Sequence, residues 1–595
     1  MGVPAFFASL IKNSLVSILR KSEQVGIVDC LYFDLNCLIH PQCFKIVDKN
    51  IDLSDMNVLE EKMMEQIIKY TNHIIRFVSP KSYVYFAVDG TAPLAKIAQQ
   101  RKRRFEYAND YRTEIKKKYG IPYNKWSNVV VTPGTKFMEK LHHKIVNYYS
   151  DKNNLDNYAE GNRKLKILYS SYHVPGEGEH KILQDLKVRY KENESLNICI
   201  YGLDADLIFL AMASNIKNIF LVREDSNFNR SANSNDLHIF EELTYVDMDS
   251  TIFEIDKMIE KEVNSILGKY KNDYYDDNDN SYKCPDIGKI SFIDDYILFC
   301  FLLGNDFLPH FYSLDIKRGG MEISVKSYAR AIIRNNGKRM IERTRDNDVI
   351  INNSVFIDYI NIIAQGEADF FRYKLRKYIK TEQIRKRCNE TEQWKIEIWK
   401  VENLIDVNEP DNMKLGINSE NEWNYSYYQA LGSEGSFQKD LKKDMCQNYI
   451  EGIMWVFNYY FKECIDYTWQ YKFSHGPLMT DLREFLGDFD INNIIFEKKE
   501  SIPIFVQLLA VLPSSFNEYL PRSYRFLTTT IESPIIDMFP VKYKTDTTYQ
   551  TQRFKCPQMI PHAELSRLMK ASKNLKLTTH EKIRGHKEIV PLILT

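Results

Sequence analysis

Residues 197–207 read NICIYGLDADL. The apolar, β-branched start has the length of a strand, and the run ends on two carboxylates, Asp204 and Asp206. Two other runs do the same. LYFDLN (31–36) delivers Asp34, and YVYFAVDG (83–90) delivers Asp89. Helical segments separate them, for example 60–78 and 93–119. Strand alternating with helix predicts an α/β domain with a mainly parallel central sheet flanked by helices. Such sheets bind ligands at the carboxyl ends of their strands, the ends where these acids sit.

Two further places carry acids. HVPGEGEH (173–180) holds Glu177 and Glu179. The apolar stretch 295–303, predicted as a buried helix stopped by Gly304, precedes Asp306. The set is thus Asp34, Asp89, Glu177, Glu179, Asp204, Asp206 and Asp306. Acids two apart on an extended segment point to opposite faces, whereas in a turn or at a strand end both can approach one ion. Seven carboxylates together repel one another unless cations relieve them, and oxygen-only ligands suit Mg²⁺ or Mn²⁺. Two such ions about 4 Å apart would activate a water and stabilise the leaving oxygen in phosphodiester cleavage. The P-loop pattern GxxxxGK[ST] is absent, and the chemistry calls for no Ser, Cys or His nucleophile.

After Asp89 comes GTAPLAKIAQQRKRRFEYANDYRTEIKKKYG. With Pro93 in its first turn, this segment reads as one long helix to Tyr119. Lys96, Gln100, Arg103 and Arg104 then span an arc of about 120° on one face, while Arg101 and Lys102 point elsewhere. One Lys, one Gln and two Arg make an anion pocket suited to a terminal 5′-phosphate, beside a metal-ligand candidate. A charge run taken alone is more often a solvated face. Residues 455–473, WVFNYYFKECIDYTWQYKF, are rich in aromatics that can stack bases, as can His40; most such aromatics belong to a core.

Composition bounds the rest. The 595 residues carry 80 basic and 80 acidic side chains, so net charge is zero, which excludes a histone-like polyanion binder but not a locally basic surface. The ten cysteines show no zinc or disulfide spacing. No signal peptide is read at the start, and no apolar run reaches the ~18 residues of a membrane span. The expectation is a soluble cytoplasmic protein, the nucleus being the alternative, and no membrane partner. Residues 1–330 read as a catalytic core. Residues 331–595 read as a second, mostly helical part packing on it, with 418–436 as a loop or transition, a helix near 447–463, and proline-punctuated segments from 500 to 565. Polar stretches at 150–163, 225–236 and 271–283 read as surface insertions.

The motifs MGVPAFF, YFDLNCLIH, FAVDGTAPLAKIAQQRKRRF, TPGTKFM, HVPGEGEHKI, IYGLDADLI, LVRED and DDYILFCFLLGNDFLPH resemble, in order and spacing, the XRN family of 5′→3′ exoribonucleases. The match is nearly continuous over 1–325, weakens to about 445, and resumes in YIEGIMWVFNYYFKECIDYTWQYKFSHGPLMTDL and SPIIDMFP. The resemblance implies a nuclease core of the flap-endonuclease and PIN type. It implies Mg²⁺ or Mn²⁺, two ions, at the seven acids, and processive attack on single-stranded RNA with a 5′-monophosphate held by Lys96, Gln100, Arg103 and Arg104. It further implies base stacking by His40 and Trp469, a monomer, and decapping machinery as a partner by family analogy. Departures fall in the second half: FSHGP replaces the family's PYHYAP, and Ala430 replaces a lysine. A compact, core-only member, of the kind a virus would carry, is the expectation.

Two alternatives share part of this pattern. A flap-endonuclease-like DNA enzyme would use the same acids, but FLPHFYSLDIKRGG after Asp306 lacks the hairpin that grips duplex DNA. An inactive RNA-binding relative should have lost metal acids, and all seven are present.

Overall fold

The computed structural model describes residues 6–51, 53, 55–159, 164–225, 242–274, 291–344, 348–405, 411–432, 437–487 and 489–595. Most of the expected polar insertions, at 160–163, 226–236 and 275–283, lie outside the described residues. The chain divides into two compact units. A sheet unit comprises Ile11–Thr251, Lys499–Tyr543 and Ile560–Thr595, and a helical unit comprises Met1–Leu10, Ile252–Lys498 and Lys544–Met559.

The sheet unit is built on eight strands: β1 (Ser17–Leu19), β2 (Cys30–Asp34), β3 (Tyr83–Ala87), β4 (Lys166–Ser170), β5 (Ile198–Tyr201), β6 (Ile219–Glu224), β7 (Leu243–Asp247) and β8 (Leu592–Ile593). Their spatial order is β1-β7-β6-β5-β2-β3-β4-β8. The inner five, β6-β5-β2-β3-β4, are all parallel. Antiparallel strands close the edges, β7 and β1 on one side and β8 on the other. Every residue of β2, β3 and β5 is buried, as continuous apolar runs require when helices cover both faces of a parallel sheet. The expected α/β class is the observed one. Chain order reverses between β2 and β5, so the sheet has its switch point where Asp34 and residues 202–206 emerge.

Helices α1 (Leu35–Lys49), α2 (Met56–Val78), α3 (Leu94–Ala108), α4 (Tyr111–Lys118), α5 (Gly178–Glu192) and α6 (Ala205–Ala213) accompany the sheet. The expected single helix from 93 to 119 is two. Asn109 leaves helical geometry at φ −78°, ψ 64°, and the Asp110 side chain accepts from Thr113 N to start α4. Adjacent Asn and Asp offer the backbone a local alternative to the helix ladder, which outweighs the continuity of the pattern.

The compact units do not divide at residue 330. The chain leaves the sheet unit after Thr251 and returns twice, because residues 504–512 and 520–539 bury Ile504, Leu508, Leu509 and Leu527 in the same core as Ile67, Phe86 and Leu141. The second return ends in β8, paired with β4.

The helical unit contains α7 (Ile293–Phe301) and longer helices at Gly320–Arg334, Asn353–Gln365, Glu420–Ala430 and Phe437–Phe461. Two short antiparallel pairs accompany them, Ile341–Arg343 with Val349–Ile351 and Lys544–Thr545 with Gln558–Met559. The α7 helix is buried as expected, and Gly304 (φ 96°) follows it where a Cβ would meet His310 Cβ at 2.8 Å. The expected loop at 418–436 is instead helical over Glu420–Ala430. Ser419 caps it by accepting from Glu422 N, and Trp423, Tyr427 and Tyr428 bury one face.

Candidate functional site

Three of the expected acids stand at helix starts in the sheet unit. Asp34 ends β2 and is the N-cap of α1; Glu177 is the N-cap of α5; Asp204 is the N-cap of α6. None of the three carboxylates caps its own helix with a hydrogen bond. Glu179 and Asp206 lie two residues further in, at the second helical position. The E-x-E and D-x-D spacings are therefore strand-to-helix turns, in which both acids stay at the positive end of a helix dipole.

The loops carrying Asp89 and Glu177 are zipped together through backbone. Gly90 N donates to Gly176 O at 2.9 Å and Gly176 N to Thr91 O at 2.8 Å. A Cβ on Gly90 would come within 1.8 Å of Val174 O. Gly178 N donates to Asp89 Oδ1 at 2.7 Å, and a Cβ on Gly178 would stand 2.9 Å from Asp34 Oδ1 and 3.4 Å from Asp89 Oδ1. Only glycine lets three acid-bearing segments converge here. Asn36 grips Asp89 twice, donating to Oδ2 at 2.9 Å and accepting from its N–H at 3.1 Å. Lys181 donates to Val88 O at 2.7 Å and Ser171 O at 2.9 Å, tying the ends of β3 and β4.

Ligand atoms of Asp34, Cys37 and Asp204 lie within 4.8 Å of one another, as do those of Glu177, Glu179 and His180. Charge links the two groups. Asp34 is pushed up to about 8, by burial first, then by Asp89 and more weakly by Asp204. Asp89 is pushed up to about 6 by burial and Glu177. Glu179 is raised well above its ordinary value by burial, with Glu177, Asp206 and Asp34 adding to the rise. Six of the seven expected acids thus form one mutually repelling set in the sheet unit. Asp306 belongs to the helical unit, on the turn after α7 where Asn305 Oδ1 accepts from Phe307 N and Leu308 N at 2.8 Å.

The set fits a cation. Asp34 Oδ1 is buried and has no hydrogen-bond partner among the described residues. Oxygen donors dominate, as a hard divalent ion prefers. Cys37 acts as a donor in this arrangement: burial and the Asp34 and Asp204 charges raise its thiol well above its ordinary value, and it donates to Asp34 Oδ2 at 2.9 Å.

The basic helix faces this set. Lys96 Nζ pairs with Glu177 Oε1 at 2.9 Å, both side chains being nearly buried. Arg104 donates to Thr132 Oγ1 at 2.7 Å and to Asn128 O and Val131 O. His40, on α1, is lowered to about 4 by burial, by Arg104 and by Arg103, with Asp204 opposing. Its neutral ring therefore stands near both guanidiniums and an acid of the set. Arg103 is exposed and Gln100 partly so. Arg101 points away as expected: it is 2% exposed and donates to the carbonyls of Ala510, Met538 and Pro561 in the returning segments. Trp469, of the helical unit, is 9% exposed and stacks on Trp455 with centroids 5.3 Å apart.

Sequence reasoning missed Asn36, Cys37, Gly178 and Lys181. All four lie within quoted motifs, but no spacing rule separates a carboxylate's partner from its neighbour. The glycine between Glu177 and Glu179 was the available signal.

Comparison with known proteins follows the same line. Residues 1–225 match the family described as XRN 5'-3' exonuclease N-terminus. Residues 286–409 and 375–594 match the Xrn1 helical domain. The chain is 26% identical to 5'-3' exoribonuclease 1 of Schizosaccharomyces pombe, over 98% of this chain and 49% of that protein. It is 29% identical to 5'-3' exoribonuclease 1 of Homo sapiens, over 96% of this chain and 34% of that protein. With 5'-3' exoribonuclease 2 of Arabidopsis thaliana it shares 26% identity over 100% of this chain and 69% of that protein. The chain spans about half or less of the length of the first two relatives. Glycine-zipped loops, acids at three helix starts and family matches along both parts of the sequence agree: the chain belongs to the XRN family.

Proposed function

We propose that the chain is a divalent-metal-dependent 5′→3′ exoribonuclease that releases 5′-mononucleotides, processively, from single-stranded RNA with a 5′-monophosphate. One observation carries this reading: six acids converge at the carboxyl ends of parallel strands, and the first residue of a basic helix face, Lys96, bonds directly to one of them. The names of the relatives point the same way.

Asp34, Asp89, Glu177, Glu179, Asp204 and Asp206 would hold the metal, Mg²⁺ or Mn²⁺ and two ions. The family resemblance alone assigns Asp306 to the metal as well. Bound divalent cations supply an activated water and charge stabilisation for the leaving oxygen. Gly178 and Asn36 keep the Asp89 carboxylate aimed at the set, and Lys181 holds the strand ends beneath it. Lys96, Gln100, Arg103 and Arg104 would take the terminal phosphate. Guanidinium forks match a monoester's oxygens, and these four side chains suit one phosphate better than a triphosphate or cap. By the resemblance, the neutral His40 ring and Trp469 would stack on the first bases. A monomeric state, a cytoplasmic location and decapping factors as partners rest on the resemblance.

The test is incubation with RNAs bearing 5′-monophosphate, 5′-triphosphate, cap or 5′-hydroxyl, with Mg²⁺ or EDTA. The expected result is EDTA-sensitive loss of the monophosphorylated RNA alone, to mononucleotides. Cleavage inside the chain, or equal loss of all four RNAs, would overturn the reading.

A further inference from the structure

The ammonium assigned to the phosphate is already engaged. Lys96 Nζ stands 2.9 Å from Glu177 Oε1, and the two side chains are 11% and 5% exposed. Glu177 also lies among acids: its charge raises both Asp89 and Glu179. The neighbouring buried ammonium, Lys181, is bonded to the carbonyls of Val88 and Ser171. Gln100, Arg103 and Arg104 follow Lys96 along one face of α3 at helical spacing.

We propose that Lys96 is a counter-ion shared between the metal acids and the 5′-phosphate pocket, so that divalent cation and terminal phosphate bind cooperatively. This rests on the reading of the site given above. A phosphate monoester carries a charge of about −1.5 to −2 at neutral pH, more than the single carboxylate it would displace. Moving Lys96 to it without a cation present takes a counter-charge away from Glu177, and from Asp89 and Glu179 on which it also acts, which is costly. A divalent cation on the acids takes over the neutralisation and frees Lys96 to complete the pocket. Linkage makes the effect reciprocal: a phosphorylated 5′ end raises cation affinity by the factor by which the cation raises affinity for that end. The enzyme would then distinguish a phosphorylated from an unphosphorylated end mainly when its metal is in place.

The experiment uses the full chain and a cleavage-resistant 2′-O-methyl oligoribonucleotide carrying either a 5′-monophosphate or a 5′-hydroxyl. Fluorescence anisotropy gives the ratio of Kd for the hydroxyl end to Kd for the phosphate end, in Ca²⁺ and in EDTA. For the wild type this ratio is expected to be about tenfold larger in Ca²⁺, within the usual range of coupling between sites. Glu177→Gln should already show a raised ratio in EDTA, since its neutral amide holds Lys96 less tightly. Lys96→Met should show one ratio in both conditions. Calorimetry of Ca²⁺ binding should report the same factor when the phosphorylated oligonucleotide is present. A wild-type ratio above one but equal in Ca²⁺ and EDTA would overturn the coupling and leave the pocket standing. A ratio of one in both conditions would overturn the pocket assignment with it.

Discussion

Asp295 of the helical unit and Asp34 of the sheet unit are both buried, 1% and 4% exposed, yet their surroundings differ. Asp295 accepts from Met340 N at 2.9 Å, from Ile341 N at 2.6 Å and from the Tyr328 hydroxyl. Glu367, in the same unit, accepts from Met479 N and Thr480 N at 2.9 Å each. Burial raises both to about 7, and hydrogen bonds pull them back. Around Asp34 the second contribution after burial is another carboxylate, Asp89. The opposing donors are the Cys37 thiol and the Asn36 backbone, and one oxygen is left without a partner. A buried acid surrounded by donors holds the fold together. A buried acid surrounded by acids weakens the fold until a cation arrives, and such costs gather where a protein does chemistry.

The contrast can be broken in several ways. The largest effect is expected at the chemistry. Asp204→Asn or Asp206→Asn should lower the RNA cleavage rate by at least about 10³-fold, roughly 4 kcal/mol of barrier, while binding of single-stranded RNA changes little. A rate equal to wild type in either variant would remove these acids from the site.

Next comes stability. Asp295→Ala strands two backbone N–H groups and a hydroxyl, each costing about 1–3 kcal/mol, so urea unfolding should show a loss of about 3 kcal/mol or more. Asp34→Asn should leave the metal-free protein as stable as wild type or more so, because it removes repulsion. Equal losses in the two variants would erase the distinction between the units.

The third test is pH and metal together. Asp34 and Asp89 have native pKa values raised to about 8 and about 6 from an ordinary 3.8. Between the ordinary and the raised values the native state holds more protons than the unfolded chain. In EDTA, the contribution of these two acids to stability should therefore be greatest below pH ~4, decline as pH rises toward ~8, and level off above it. Mg²⁺ should flatten this slope and add about 2.7 kcal/mol when present at a hundred times its Kd. Thermal melts from pH 5 to 8.5, with and without EDTA, read both. A metal-free profile with the same slope in Asp34→Asn as in the wild type would contradict the repelling set.

The smallest effect lies at the exposed end of the basic face. Arg103→Ala should cut the preference for 5′-monophosphate over 5′-hydroxyl RNA about tenfold, close to 1.4 kcal/mol, with the unphosphorylated RNA bound as before. An unchanged preference would show that Arg103 is not in the pocket.

Much of the sheet unit could be read in advance because its signals are local. Buried strands such as residues 83–87 need continuous apolar runs, and residues at strand ends are where parallel sheets present ligands. Helix breaks were harder. The pattern of residues 93–119 is continuous, but Asn109 and Asp110 hydrogen-bond locally, and only the geometry at Asn109 shows that the helix stops. The helix at Glu420–Ala430 was hidden by a polar, glycine-flanked context, although Ser419 three residues before Glu422 is a capping signal.

By itself, then, the sequence determined the class of sheet, the acid-bearing strand ends, the face of α3 that carries Lys96 and Arg104, and the turn of Arg101 away from that face. Each follows from a period of two or of 3.6 residues and from which side chains tolerate burial. Tertiary structure alone decided which acids meet and what restrains them. The zipping of Gly90 to Gly176, the opening that Gly178 leaves for Asp34 and Asp89, and the pairing of Lys96 with Glu177 join residues some 80 or more positions apart. So did the return of residues 499–543 and 560–595 to the sheet unit. Contacts between distant segments depend on how strands are ordered in space, and no local periodicity encodes that order.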